Sequence, residues 1–118
     1  MSDRTWMQHL VTTDIDRLAA EQPGWRLRYE QLSEGPFHAE VRQVQLPGLR
    51  LLDERLERAV RQHGQLEPEA YGFALAVDSP GPMHFAGRTV QHDTLMMGRG
   101  DDIDLCTPPG FAFIAIVV

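Results

Sequence analysis

Five histidines, His9, His38, His63, His84 and His92, are enough by count to hold a transition metal. Their spacing argues against it. Strands that share a metal present two imidazoles one residue apart with a carboxylate a few positions on, and a zinc helix presents His-Glu-x-x-His; neither pattern occurs. Asp101, Asp102 and Asp104 could offer oxygens to a hard cation, but the longer ligand series of a calcium loop is cut short by Ile103 and Leu105, so the cluster reads as a solvated turn. Gly98-x-Gly100 lacks the third glycine and the helix of a dinucleotide loop. Cys106, in an apolar strand pattern, reads as an inert core thiol. The chain has no Lys and no Asn, which removes Schiff-base chemistry, a phosphate-loop lysine and a papain-type orienting amide. Ser33 and Ser79 sit in turns without the small-residue elbow that presents a nucleophile. No catalytic residue, metal or cofactor is therefore expected.

The elements that would position a site are short. Residues 1–13 read as a flexible arm whose Trp6, Met7, Leu10 and Val11 could fold over a pocket or a partner. Asp14-Ile15-Asp16-Arg17-Leu18-Ala19-Ala20 predicts a short helix capped by Thr13 or Asp14 and ended by Pro23-Gly24. From Trp25 onward, short apolar stretches separated by Gly and Pro predict an antiparallel sheet closing on itself. Trp25 to Gln31 alternates as one strand; Phe37, Ala39 and Val41 alternate as the next, with a change of parity at Val44 and Leu46 that predicts a bulge near Gln43. Leu49 to Gly64 fits a helix or two strands by periodicity, with a slight lean to helix. Tyr71 to Val77, Met83 to Ala86, Thr94 to Met97, Ile103 to Cys106 and Phe111 to Val118 supply further strands. The last of these is so apolar that it must be paired or covered, and the natural protein is expected to continue past Val118.

With 118 residues the chain has room for one domain with a real core. A net charge of -6 and a pI near 5.2 oppose direct binding to a nucleic-acid backbone. One cysteine and no leader pattern suggest a reducing cytoplasm, without a membrane. Inward aromatics of a small barrel line whatever cavity it encloses, and an inward Arg42 or Arg55 could hold an anionic ligand.

The series Asp14-Ile15-Asp16, Pro23-Gly24-Trp25, Gln31-Leu32-Ser33-x-Gly35-Pro36-Phe37, Gly48-Leu49-x-Leu51 and Leu95-Met96-Met97-Gly98-Arg99-Gly100 resembles the N-terminal domain of AraC-family transcriptional regulators, in the ethanolamine-operon-regulator-like subgroup. That resemblance implies a mainly β, cupin-like antiparallel barrel or jelly roll over residues 14–118. It implies a non-enzymatic role in effector sensing and dimerisation, and it places Leu49 to Gly64 as two strands. DNA would be reached only through a C-terminal helix-turn-helix domain outside this chain, and the expected partners are a small effector and a second copy. Inward parity nominates Phe37, Arg42, Arg55, Tyr71, Phe73 and His84 as ligand-binding residues. The alternatives are a stand-alone cupin enzyme, which would cluster His84, His92 and His38 around a metal, and a ligand-free dimerisation module.

Overall fold

Alternation of side chains along extended backbone builds two antiparallel sheets around one short helix. The computed structural model describes residues 5–22, 25–100 and 102–118, with the backbone alone at Asp102. The elements are β1 (Trp6–Thr12), α1 (Ile15–Ala20), β2 (Arg26–Gln31), β3 (Ala39–Leu46), β4 (Leu49–Leu56), β5 (Val60–Gln65), β6 (Tyr71–Asp78), β7 (Met83–Phe85), β8 (Arg88–Val90), β9 (Met96–Arg99), β10 (Asp102–Thr107) and β11 (Phe111–Val117). The first sheet runs β1-β3-β4-β11-β6-β9 and the second β2-β5-β10-β7-β8. From β4 on, the chain passes back and forth between them. The orders β4-β11-β6-β9 and β5-β10-β7-β8 are the two four-stranded sheets of a jelly roll, the architecture of cupins. β3 and β1 widen the first sheet, and β2 widens the second.

The mainly β, cupin-like class expected from the sequence is thus what the strand order shows. Leu49 to Gly64 forms two strands, β4 and most of β5, and not a helix. Asp14 caps α1, its carboxylate accepting the Asp16 N–H at 2.9 Å, and Leu18 is driven wholly inside. The expected stop at Pro23-Gly24 and residues 1–4 of the expected arm lie outside the described residues.

Two expectations are corrected. Residues 6–12 are not a free arm but an edge strand, paired with β3 from Trp6↔Gln45 to Thr12↔Ala39. No bulge interrupts β3, whose register runs unbroken against both neighbours. The strand holds one parity and buries Gln43 and Gln45 while Val44 and Leu46 turn outward. Gln45 is satisfied there because its side-chain oxygen accepts from Arg50 Nε at 3.0 Å, and Arg50 reaches Glu67 at 3.1 Å. Polar pairing decides a parity that hydrophobicity alone would reverse. β11 is no edge either, since it lies between β4 and β6.

The core draws on both sheets, Val41, Leu52, Leu56 and Phe113 meeting Val60, Met83 and Leu105, with Leu18 of α1 joining them. Among the described residues, no helix is long and apolar enough to cross a membrane.

Candidate functional site

Between the sheets, the end of α1 and the start of β2 cover one end of the interior. Gln22 and Trp25 come from this connection, Leu27 from β2, Gln62 from β5, and Phe85, Met96, Ile103, Leu105, Phe113 and Ala115 from the strands around them; together they line a cavity. It is narrow. About 60 Å³ is free to the centre of a water-sized sphere, where a single water needs about 10–15 Å³. Small residues keep it open, because Gly72 and Gly98 are register partners and Ala74 and Ala115 are likewise paired, all four in the wall.

The walls are apolar, but polar groups gather at one side. Glu54 of β4 is completely buried and accepts from the Tyr29 hydroxyl at 2.8 Å and from Gln62 Nε2 at 3.1 Å. Gln22 Nε2 donates to the Leu18 carbonyl at 3.2 Å and the Tyr29 oxygen at 2.7 Å, with Glu54 Oε1 at 3.5 Å. Burial raises the Glu54 carboxyl to about 7, against the lowering effect of these three hydrogen-bond partners. Burial, with the Glu54 charge beside it, pushes the Tyr29 hydroxyl well above its ordinary range. The carboxyl fixes the amide groups of Gln22 and Gln62, and these two face the cavity.

Two atoms at this end are left over. Gln22 Oε1 and Trp25 Nε1 are buried and find no hydrogen-bond partner among the described residues. One is an acceptor and the other a donor. An unpaired buried polar atom typically costs about 1–3 kcal/mol, so one acceptor and one donor remain unmet at this end.

The residues nominated by parity are not gathered there. Phe37 is buried in the main core, away from the cavity wall. Arg42 is exposed and pairs with Glu40 at 3.4 Å. Arg55 is exposed with Asp53 at 3.9 Å, and Tyr71 lies outward under the Arg99 guanidinium at 5.0 Å. His84 is exposed, with Thr89 Oγ1 3.3 Å from its Nδ1. Phe73 borders the cavity, but its register partners Ile116 and Met97 are exposed, so its ring belongs to the outer face. The inward set on β4 is Leu52, Glu54 and Leu56, one residue out of phase with Arg55. The polar-bearing residues that do face the cavity, Gln22, Trp25 and Gln62, are not among those nominated, and Trp25 reads in the sequence only as the start of a strand. Gln22 falls in a helix end and Gln62 in a charged stretch, and neither position carries a signal of its own.

Cupin-type metal chemistry needs a ligand cluster, and the described side chains do not gather into one. Glu54 is the cavity-side carboxylate, and it is committed to Tyr29, Gln62 and Gln22. His9 and His63 pair with Glu40 at 2.6 Å and Glu30 at 3.3 Å, and His38 lies 3.5 Å from Glu57. No group of three His, Cys, Asp or Glu among the described residues could hold a metal ion. Asp104 is held by Arg61 through two contacts at 3.0 and 3.2 Å, which lower its carboxyl below the usual range; the other two members of its acidic cluster, the side chains of Asp101 and Asp102, lie outside the described residues. Cys106 is half-buried between the buried Leu105 and Thr107 and so is not the core thiol expected from the sequence; what burial it has raises its thiol above the ordinary value.

No protein-family profile matches the chain. Solved structures with a similar course include a cupin-2 domain protein of Rhodospirillum rubrum, at 14% identity and a TM-score of 0.44 over 82% of this chain and 71% of that one. A cupin 2 conserved barrel domain protein of Rhodopseudomonas palustris is similar at 10% identity and a TM-score of 0.44, over 80% of this chain and 71% of the other.

Proposed function

We propose that this chain is a small-molecule-sensing domain of a transcriptional regulator of the AraC type, and that its ligand enters the cavity capped by Gln22 and Trp25. The carrying observation is the pair of unpartnered buried atoms, Trp25 Nε1 and Gln22 Oε1, in an otherwise apolar wall. A compact molecule with an alcohol or amide group satisfies both, and its carbon skeleton replaces water against the walls. Glu54 acts as a positioning group, since it orients Gln22 and Gln62 without lining the cavity itself.

Sensing requires that occupancy favour one arrangement of the domain over another. Gln22 follows α1 directly, and Gln8 of β1 donates to the neighbouring Glu21 carbonyl at 2.9 Å. A ligand held by Gln22 therefore tightens the end of α1 against the edge strand β1, a fixed counterpart of the folding arm suggested by the sequence. The role is one of binding and not of catalysis in this reading.

The test is a thermal-shift series with 1-propanol, isobutanol, propionamide and isobutyramide. Ligands of about four to six non-hydrogen atoms reach at best about -6 to -9 kcal/mol, a Kd from tens of micromolar to below one micromolar. At a hundredfold excess over Kd it stabilises the fold by about 2.7 kcal/mol. At least one probe should raise Tm in the native chain and lose most of that effect in Trp25→Phe, which keeps the wall apolar and removes the donor. Probes that leave Tm unchanged, or act equally on Trp25→Phe, defeat the assignment.

A further inference from the structure

Three side chains at the capped end of the cavity form one hydrogen-bond chain with a direction. Gln22 Nε2 donates to the Tyr29 oxygen at 2.7 Å, and the Tyr29 hydroxyl donates to Glu54 Oε1 at 2.8 Å. Glu54 Oε2 is taken by Gln62 Nε2 at 3.1 Å, so a proton arriving at this carboxyl settles on Oε1, facing Tyr29. The acid so formed donates to the Tyr29 oxygen. Tyr29 carries a single proton and then turns it toward Gln22. The Gln22 amide, 4% exposed, answers with its oxygen, which is without a partner while Glu54 is charged. One proton taken from solvent thus reverses the whole chain: Glu54 donates to Tyr29, Tyr29 donates to Gln22 Oε1, and Gln22 Nε2 turns to the cavity. The two ends of an amide are alike in size, so the turn leaves the packing nearly unchanged. The Leu18 carbonyl, 3.2 Å from Nε2, holds the amide in its first orientation until that proton arrives.

We propose that the cavity admits two classes of ligand and that Glu54, acting through Tyr29 and Gln22, selects between them by its protonation. The inference rests on the ligand-binding reading of the cavity and adds its regulation. With Glu54 charged, the site offers one acceptor, Gln22 Oε1, and one donor, Trp25 Nε1, which suit an alcohol or a primary amide. With Glu54 protonated it offers two donors, Gln22 Nε2 and Trp25 Nε1, which suit the two lone pairs of a ketone or ester carbonyl. Each class leaves a buried group unmet in the other state. Among the described residues packed against Glu54, β3 and β11 present Val41 and Phe113, β5 presents Gln62 and β2 presents Tyr29. Burial keeps the Tyr29 hydroxyl protonated well above neutral pH. Arg17 and Glu21 of α1 pair with each other in solvent at 3.3 Å, and Arg50, on the same strand as Glu54, is held by Gln45 and Glu67. The exchange falls near neutrality, because the buried carboxyl releases its proton at about pH 7.

2-Butanol and 2-butanone share one skeleton and carry no charge, so NMR titrations of the chain with each, at pH 6.0 and 8.5, isolate the switch. The native chain is expected to prefer the alcohol about tenfold at pH 8.5, and the ketone about fivefold at pH 6.0, where roughly a tenth of the molecules still carry the charge. Glu54→Gln, whose amide donates to Tyr29 as the protonated acid does, prefers the ketone at both. Tyr29→Phe breaks the chain and holds one preference throughout. A native preference that does not change with pH overturns the proposal and leaves the ligand-binding reading standing. If neither probe binds at either pH, that reading falls and the selection with it. The reversal itself is read without ligand: nuclear Overhauser contacts of the Gln22 Nε2 protons pass from the Tyr29 ring at pH 8.5 to the Trp25 indole N–H at pH 6.0, and stay with the indole in Glu54→Gln. An amide that keeps its Tyr29 contact at both pH values overturns the proposal as well.

Discussion

Replacing Glu54 by Gln isolates the energetic consequence of the buried carboxyl. Its value rises from the ordinary 4.5 to about 7 because burial disfavours the charged form more than Tyr29, Gln62 and Gln22 support it. At ~1.4 kcal/mol for each pH unit of difference, the gap is worth about 3 kcal/mol. The sign follows from proton binding. Between pH 4.5 and 7 the folded chain keeps a proton at Glu54 that the unfolded chain has released, so stability falls as pH rises through this window and levels off above it. Glu40 and Asp104, whose carboxyls are lowered by His9 and Arg61, act in the opposite sense and only in the acid range below their ordinary values. Urea unfolding of the native chain and Glu54→Gln, at one protein concentration and at several pH values from 4.5 to 8, separates these contributions. The stability of the variant relative to native should increase by about 3 kcal/mol from the acid to the alkaline end, whatever the constant offset from changed hydrogen bonds. A difference that does not vary with pH would mean that Glu54 titrates as an ordinary surface carboxyl, and the account of the cavity side as dry would fall with it.

Arg50→Met leaves Gln45 Oε1 and Glu67 without their buried cation and should cost about 3 kcal/mol, seen as a fall in Tm of about 10 °C; a change of less than ~1 kcal/mol would show that the pair is solvated. Gly64→Ala puts a methyl group 1.9 Å from the Arg26 carbonyl oxygen at φ +150, and should cost more than about 3 kcal/mol by prying β2 from β5. Gly48→Ala, also at positive φ but with nothing within 4 Å, should cost only about 1 kcal/mol, so equal losses at the two positions would contradict the steric argument.

Much of the fold is legible where alternation and turn chemistry agree. β2, β6, β10 and β11 lie close to where their patterns put them, and Asp14 caps the helix its side chain marks. β8 is three residues long, with two of them exposed, and gives no periodic signal. β1 reads as an arm because its outward face, Met7 and Val11, is apolar and its inward face includes Gln8 and Thr12. The site was the least legible part. Parity assigns a face only when the inward set is the apolar one, and along β3 and β4 the inward positions include Gln43, Gln45, Arg50 and Glu54. Their partners lie on other elements, Gln8 for Gln43, Glu67 for Arg50 and Tyr29 for Glu54, or across the hairpin turn, Arg50 for Gln45, which alternation along one strand cannot reveal.

The same inversion connects the interior to the outer face. β3 and β4 meet at the two-residue turn Pro47-Gly48, where Gly48 at φ +70 lets Leu46 pair directly with Leu49. A slip of one residue along β3 would bury Val44 and Leu46 and expose Gln43 and Gln45, a gain in apolar burial for this strand alone. The turn forbids the slip, and the pairs Gln45–Arg50 and Arg50–Glu67 form only in the observed register. Of the polar groups held inside, Glu54 reaches the cavity only through Gln22 and Gln62, which line it, while Val44 and Leu46 are turned outward. An inner surface that keeps polar groups at this cost in apolar burial is what the proposed sensing role requires.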